Sequence, residues 1–574
     1  MSRKKFYRKP KAPPPQKKRG HRQRILYKKP KIDPGLSPLF KKIGTPDDTP
    51  FIPDPFQTEA VDLLQECDVL VTAPTGAGKT WIASEAIHIC HAQGLRTWYA
   101  SPLKALSNSI HQQFVRQFGA DQCGILTGDR KENADAPIMI GTTEILRNHL
   151  YDAMHRGGNI QTDLVILDEA HYLSDPERGV VWEEVLIYLP PRIRLLLLSA
   201  TISNEAEVAA WLKSIRKTPT RVVRSQDRPV PLKSLFLFPS GLVAPLSSKK
   251  GLHPKVKRFL KSDDKKRRGR PERVDYGRII GCLKKLNLLP AIFFLKSRAD
   301  CDRALKSCPP VRKSHDIRRR VEMEIQSFLG KYPHLKGHRQ MRPLKESLVA
   351  AHHGGQLPYW KVLVERMMDQ GLLEAIFSTS TVAAGVNFPA RTVVLFQSDR
   401  FNGHEFVDLR ATDLHQMIGR AGRRGKDRIG FALIKPGPYQ DPQTIHNLEQ
   451  APADPLLSQI RINFSMTLNL LLSHTPKEVD MLLERSFAAF QERGSDRNLW
   501  RSFKRHLYFL KETSFVNDSD RLSFDGMWAA NLRLDQPLVI AEAIRTGAFE
   551  GITPETLPAG LAPFVWDRDQ DVHL

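Results

Sequence analysis

Between Asp68 and Thr80 the chain reads Asp-Val-Leu-Val-Thr-Ala-Pro-Thr-Gly-Ala-Gly-Lys-Thr, a set of residues suited to gripping phosphate. Gly76 and Gly78 allow backbone N–H groups to close on an anion, and the helix that follows presents its positive dipole end to the same charge. Thr75 and Ala77 complete the cradle, Lys79 would reach the outer phosphates, and the Thr80 hydroxyl would ligate Mg²⁺. Ala73 stands where the strict pattern has its first glycine. A second set follows at Asp168-Glu169-Ala170-His171. There Asp168 can hold the metal and Glu169 can orient an attacking water. A third set, from His415 to Gly425, carries Gln416, Arg420 and Arg423. Arginines supplied by a partner domain stabilise the charge of phosphoryl transfer, an effect of about 10³–10⁵ in rate.

These groups need rigid supports, and the surrounding pattern provides them. An apolar run ends at each of the first two sets: Val69 to Thr72 before the glycine loop, and Leu164 to Leu167 before the acidic pair. Buried parallel strands have this appearance, and ligands collect at their C-terminal ends. Strand signals at Arg96–Ala100, Ile138–Ile140 and Ile193–Leu198 alternate with helical ones starting near Leu103 and Glu144. The alternation restarts with Ala291–Leu295, Ala375–Phe377, Thr392–Phe396 and Gly430–Ile434. The expectation is an α/β protein with two helix-covered parallel sheets. After Pro436 the signal is mostly helical, at 457–472, 476–492, 500–512 and 538–546.

Composition narrows the partners. At 574 residues with a formal net charge of +25, the chain has room for several cores and favours a polyanion such as nucleic acid. The six cysteines form no CxxC pair, so neither a disulfide framework nor a zinc site is expected. No apolar run approaches the ~18–20 residues that span a bilayer. The expectation is a soluble protein of a reducing compartment with no membrane partner. The first 45 residues alternate basic residues with prolines and read as a disordered tail. Such a tail serves equally as an electrostatic arm for nucleic acid, a solubilising extension or a nuclear address.

The ordered motifs resemble the superfamily 2 DEAD/DEAH-box helicases, and most closely the Ski-like RNA helicases of the exosome-helicase branch. They stand as Phe56-Gln57, Ala73 to Thr80, Ser101 to Asn108, Leu126 to Asp129, Thr142 to Arg147, Asp168 to His171, Asp175 to Gly179 and Ser199-Ala200-Thr201. The second half adds His352 to Gly355, Gly385 to Arg391, and Gln416 to Gly425. The resemblance runs from about Phe56 to Val565. It implies two tandem RecA-like P-loop domains at 46–225 and 276–440, joined by a connecting segment at 226–275. A winged-helix-like region at 441–535 and the start of a helical, ratchet-like bundle at 536–574 would follow.

By that resemblance Gln57 would recognise adenine, and Gly385 would line the nucleotide site. His171, Ser199 and Thr201 would couple hydrolysis to domain movement. Pro102, Lys104, Thr142 and Thr143 in the first domain, and Ser297, Arg298 and Thr379 in the second, would contact the nucleic-acid backbone, which carries no base information. Two departures stand out. Ser380 and Ala384 replace an acid and a methionine usual in the family, and only Glu492 to Arg497 occupy the place of its long arch insertion. The chain stops at Leu574 before a full bundle, so either the form is minimal or the missing helices come from a protein partner or a longer parent chain.

The function these features imply is an ATP-dependent helicase that translocates 3′ to 5′ on single-stranded RNA, monomeric and cytoplasmic, with a nuclear address also compatible with the tail. Two rivals remain: a DNA helicase of the related repair branch, and a nucleic-acid-binding scaffold with an idle ATPase.

Overall fold

The computed structural model describes residues 30–47, 50–155, 158, 160–176, 178–263, 274–379, 390–401, 405–492, 498–532 and 537–565. Gly385, Ser380 and Ala384 lie outside the described residues.

Mostly apolar five- and six-residue runs, with the short charged β4 and the mixed β8 at the edges, become the strands of a first sheet: β1 Asp68–Thr72, β2 Thr97–Ser101, β3 Cys123–Thr127, β4 Arg130–Glu132, β5 Ile138–Thr142, β6 Leu164–Asp168, β7 Arg194–Ser199 and β8 Thr220–Arg224. Their order is β4-β3-β5-β2-β6-β7-β1-β8, and every pairing is parallel except β3 with β4. Helices cover both faces, so residues on both sides of β1, β2 and β6 are buried, which explains the unbroken apolar runs. The far end of β1 from the glycine loop is fixed by a buried pair. Arg216 Nε donates to Asp68 at 2.7 Å, with both side chains 1% exposed. Thr218 and the Leu195 N–H fill the remaining lone pairs of that carboxylate.

A second sheet holds β9 Leu232–Leu237, β10 Leu242–Pro245, β11 Ala291–Leu295, β12 Val349–His352, β13 Ala375–Thr379, β14 Thr392–Leu395 and β15 Gly430–Ile434. The order is Lys31–Ile32, β10, β9, β15, β14, β11, β13, β12, again mostly parallel. Two parallel-rich α/β sheets in tandem are the arrangement that tandem RecA-like domains require.

Two boundaries differ from the sequence expectation. The segment 226–275, read as a connection, supplies β9 and β10 to the second sheet. The tail does not run to residue 45 either. Lys31–Ile32 pairs in parallel with Leu242 and Val243, and Leu36 enters the core of the second lobe at 5% exposure. A few apolar residues at the right register are enough to order a basic stretch when a sheet edge is available.

Beyond the second sheet come helices Pro442–Gln450, Phe464–Ser473, Pro476–Glu484, Phe487–Gln491, Asn498–Glu512 and Phe524–Asn531, followed by Pro537–Arg545 and Leu557–Val565. The helical region packs on the first lobe through polar contacts inside an apolar seam. Trp211 Nε1 donates to the Arg485 carbonyl at 2.9 Å, and Arg485 Nη2 donates to the Ile215 carbonyl at 2.8 Å. Glu183, fully buried, accepts from Ser458 Oγ and from the Phe487 N–H at 2.8 Å. None of the described helices is long and apolar enough to cross a membrane.

Candidate active site

The glycine loop leaves β1 at Thr72 and re-enters regular structure at helix Lys79–Ala92. Gly76 and Gly78 both take φ +86°, which side-chain-bearing residues rarely adopt, so their placement in the sequence is dictated by the turn. Lys79 Nζ folds back on the loop, donating to the carbonyls of Ala73 at 2.8 Å and Pro74 at 3.2 Å. Burial lowers the Lys79 pKa while Glu169 and Asp168 oppose that shift. The ammonium therefore stands within the field of the acidic pair, as a phosphate-binding lysine needs.

The acidic pair ends β6, two strands from the loop. Asp168 accepts from Tyr99 OH and, through its other oxygen, from the Glu169 N–H at 2.9 Å. Burial, then the neighbouring Glu169 charge, pushes the Asp168 pKa up. A bound cation would reverse that penalty, and the Asp168 carboxylate and Thr80 hydroxyl are oxygen donors of the hard type that Mg²⁺ takes. Glu169 sits at φ +61°, an uncommon backbone state for this residue type. Strain of this kind is held where a side chain must point into a site.

From the second lobe, helix Ala411–Gly419 and the turn after it face these groups. Gln416 Nε2 lies 2.7 Å from His171 Nε2, across the cleft. His171 Nδ1 lies 3.4 Å from Glu169. Burial, then Lys79, drives the His171 pKa down to about 4, so the ring is neutral. With the Gln416 amide as donor, the ring proton resides on Nδ1 and faces Glu169. Arg420, 9% exposed, feels the charges of Glu169 and Asp168. Gly419 lies against the loop so closely that an added Cβ would stand 2.8 Å from Thr75 Cβ. A side chain at 419 would hold the lobes apart.

Arg423 is placed otherwise. Its guanidinium grips Asp427, 2% exposed, at 2.7 and 3.0 Å, and Arg391 reaches the same carboxylate at 2.7 Å. Its neighbour Arg424 is the one that crosses to the first lobe, meeting Asp54 at 3.0 Å and the Ala77 carbonyl at 3.3 Å. Gln57, completely buried, accepts from the Asp54 N–H and donates to the Gly78 carbonyl, both at 2.8 Å. It thereby ties the start of helix Pro55–Leu64 to the glycine loop. Ser199 Oγ is buried without a hydrogen-bond partner among the described residues, and Thr201 is half-buried beside it.

The residues expected to meet nucleic acid cluster on each lobe at the C-terminal ends of strands. Ser101 and Thr142 are paired across β2 and β5, with Pro102 and Thr143 the next residues of each. Lys104, exposed, reaches Asp129 at 3.4 Å. Thr143 Oγ1 is buried without a partner among the described residues. On the second lobe Thr379 pairs in register with Leu295, which precedes Ser297 and Arg298. Ser297 Oγ caps helix Arg298–Lys306, accepting from the Asp300 N–H. Arg298 is exposed and overhangs Gly354. Tyr99, Arg424 and Asp427 carry parts of this site that motif reading alone missed. Tyr99 left a faint signal, a hydroxyl at the middle of a buried central strand; Arg424 added only one more charge to an Arg-rich run, and Asp427 a lone acid after it.

A glycine loop and acidic pair on one lobe, faced by arginines from a second, define the class of two-lobed P-loop proteins. Comparison with known proteins narrows it. The DEAD/DEAH box helicase family matches residues 54–208, and the DSHCT (NUC185) domain matches residues 519–573. The chain is 37% identical over 486 residues to "Probable helicase HelY" of Mycobacterium tuberculosis, covering 79% of this chain and 53% of that protein. It is 34% identical over 490 residues to human "Exosome RNA helicase MTR4", covering 79% and 45%. With human "Superkiller complex protein 2" it shares 36% over 479 residues, covering 77% and 38%. The chain belongs to the Ski2-like branch of the DEAD/DEAH-box helicases. It spans about half the length of the curated relatives it matches.

Proposed function

We propose that the chain is an ATP-dependent helicase that moves 3′ to 5′ along single-stranded RNA. The observation that carries this reading is the composite cleft: Lys79, Asp168 and Glu169 from one lobe within the reach of Gln416 and Arg420 from the other. Neither lobe alone holds a full hydrolytic set, so turnover requires closure.

In this reading Thr75 to Thr80 cradle the triphosphate and Lys79 exchanges its loop carbonyls for phosphate oxygens. Mg²⁺, held by Thr80 and Asp168, would offset the phosphate charge. Glu169 orients water, with the neutral His171 ring standing 3.4 Å away and held in turn by Gln416. Arg420 meets the charge that develops on the transferred group. Arg423 supports the same turn by fixing Asp427, while Arg424 closes on the loop. Gln57 has one N–H and one lone pair uncommitted, which an adenine edge would engage once nucleotide binding opens access to the buried side chain. Gly385 is assigned to the nucleotide site on resemblance alone. Ser199, whose hydroxyl has no partner among the described residues, and Thr201 relay closure to the strand-binding edge. There Pro102, Lys104, Thr142 and Thr143 on one lobe, and Ser297, Arg298 and Thr379 on the other, hold successive phosphates without reading bases.

The helices at 441–535 are assigned to a winged-helix-like region and those after 536 to a ratchet-like segment. The human relative is named an exosome RNA helicase, which favours RNA as substrate. ATP turnover measured with single-stranded RNA and DNA of one sequence at one salt concentration tests this. Greater stimulation by RNA is expected; greater stimulation by DNA would move the chain to the repair branch, and no turnover with either would support an idle ATPase.

A further inference from the structure

We infer that Arg228, in the stretch leading into β9, is a positioning residue for Arg420. The inference rests on the ATPase reading above. Arg228 Nη2 donates to the carbonyls of Gly419 at 3.2 Å and Ala421 at 2.9 Å, the residues on either side of Arg420. The Arg420 carbonyl itself accepts from the Ala390 N–H at 2.9 Å. Three consecutive carbonyls of the turn are therefore held, two of them by one guanidinium.

The clamp is itself rigid. Pro231 accepts from the Gly430 N–H at 2.9 Å at the start of the β9–β15 pairing, and a Cβ on Gly422 would come within 2.6 Å of Val230. Arg228 thus reaches the turn from backbone that the second sheet fixes. It is partly buried, and no carboxylate among the described residues lies within ion-pair distance of it. Burial alone lowers its pKa, with no opposing acid. A cation placed in such a setting costs stability unless its hydrogen bonds are filled, and carbonyl oxygens fill them here.

The location gives the clamp a catalytic consequence. The Gly419 carbonyl that Arg228 holds faces the glycine loop, 3.8 Å from where a Gly76 Cβ would stand. Arg420 leaves the same turn toward Glu169 and Asp168. A shift of about 1 Å in a group that must meet a transition state costs up to about a hundredfold in rate, whereas ground-state binding of nucleotide at the loop is untouched.

The test is a kinetic cycle on the full chain with Arg228→Ala, Arg228→Lys, Arg420→Ala and the Arg228→Ala/Arg420→Ala double variant. Arg228→Ala should lower kcat about tenfold to a hundredfold with KM for ATP little changed, and Arg228→Lys should recover most of it, since one ammonium can bridge both carbonyls. In the double variant the Arg228 change should add nothing to the loss from Arg420→Ala. Additive losses, or a raised KM with kcat intact as a direct nucleotide contact would give, would overturn the assignment. Amide hydrogen exchange at Ala421 and Gly422 provides a reading independent of turnover: about tenfold faster exchange in Arg228→Ala supports the clamp, and unchanged exchange contradicts it. A wild-type chain without turnover would end the ATPase reading while this second measurement still judges the clamp.

Discussion

Gln416 of the second lobe reaches His171 of the first at 2.7 Å, two residues past the glutamate that would orient water. The other nitrogen of the neutral ring lies 3.4 Å from Glu169, with no hydrogen bond to a described residue. In the proposed mechanism, closure of the lobes would also fix the ring beside the group assigned as general base.

Gln416→Ala should therefore lower kcat by about tenfold, the worth of one buried hydrogen bond expressed in a transition state, while KM for ATP stays nearly constant. Pairing it with His171→Ala should give little further loss. Steady-state kinetics on the three variants checks this.

The two arginines of the motif should separate by phenotype. Arg420→Ala is expected to leave the thermal midpoint unchanged and to cut kcat by about 10³. Arg423→Ala should instead lower stability by about 1–3 kcal/mol, because the buried Asp427 would keep Arg391 alone. Thermal unfolding measured beside turnover distinguishes the two roles.

Glu183 should make the docking of the helical region pH-dependent. Burial raises its pKa from 4.5 to about 7, against the lowering effect of Ser458 and the N–H groups of Phe487 and Gln459, with Glu184 adding to the rise. A carboxyl raised in the folded state favours folding most below its unfolded value, and that contribution disappears as pH climbs through the folded one. The wild type should therefore lose up to about 3 kcal/mol relative to Glu183→Gln between pH 5 and 8. Urea unfolding of both proteins across that range measures the difference, and parallel curves would contradict it.

Much of this site was legible because it depends on residue type at fixed spacing. Gly76 and Gly78 had to precede Lys79, and Asp168-Glu169 had to follow an apolar run, whatever the rest of the chain did. The same pattern rules placed the central strands, since a buried parallel strand leaves an unbroken apolar signature. They failed at β9 and β10, where an edge-side hairpin of mixed polarity resembles a connection, and at Lys31–Ile32, where two residues of pairing leave no periodic trace. Motif reading also treated Arg420 and Arg423 as equivalent. Only the position of Asp427 four residues after Arg423 separates them, and its capture of Arg423 depends on a fold that brings Arg391 to the same carboxylate. Arg228 was silent for a similar reason, because its partners are backbone carbonyls nearly two hundred residues away.

The most direct test of the composite cleft is ATP turnover of Glu169→Gln, measured with saturating single-stranded RNA alongside its ATP affinity. Loss of about 10²–10⁴ in kcat with ATP affinity retained is the expected result. Turnover equal to the wild type would mean that Glu169 does not prepare the attacking water and that the cleft between the lobes is not where ATP is cleaved.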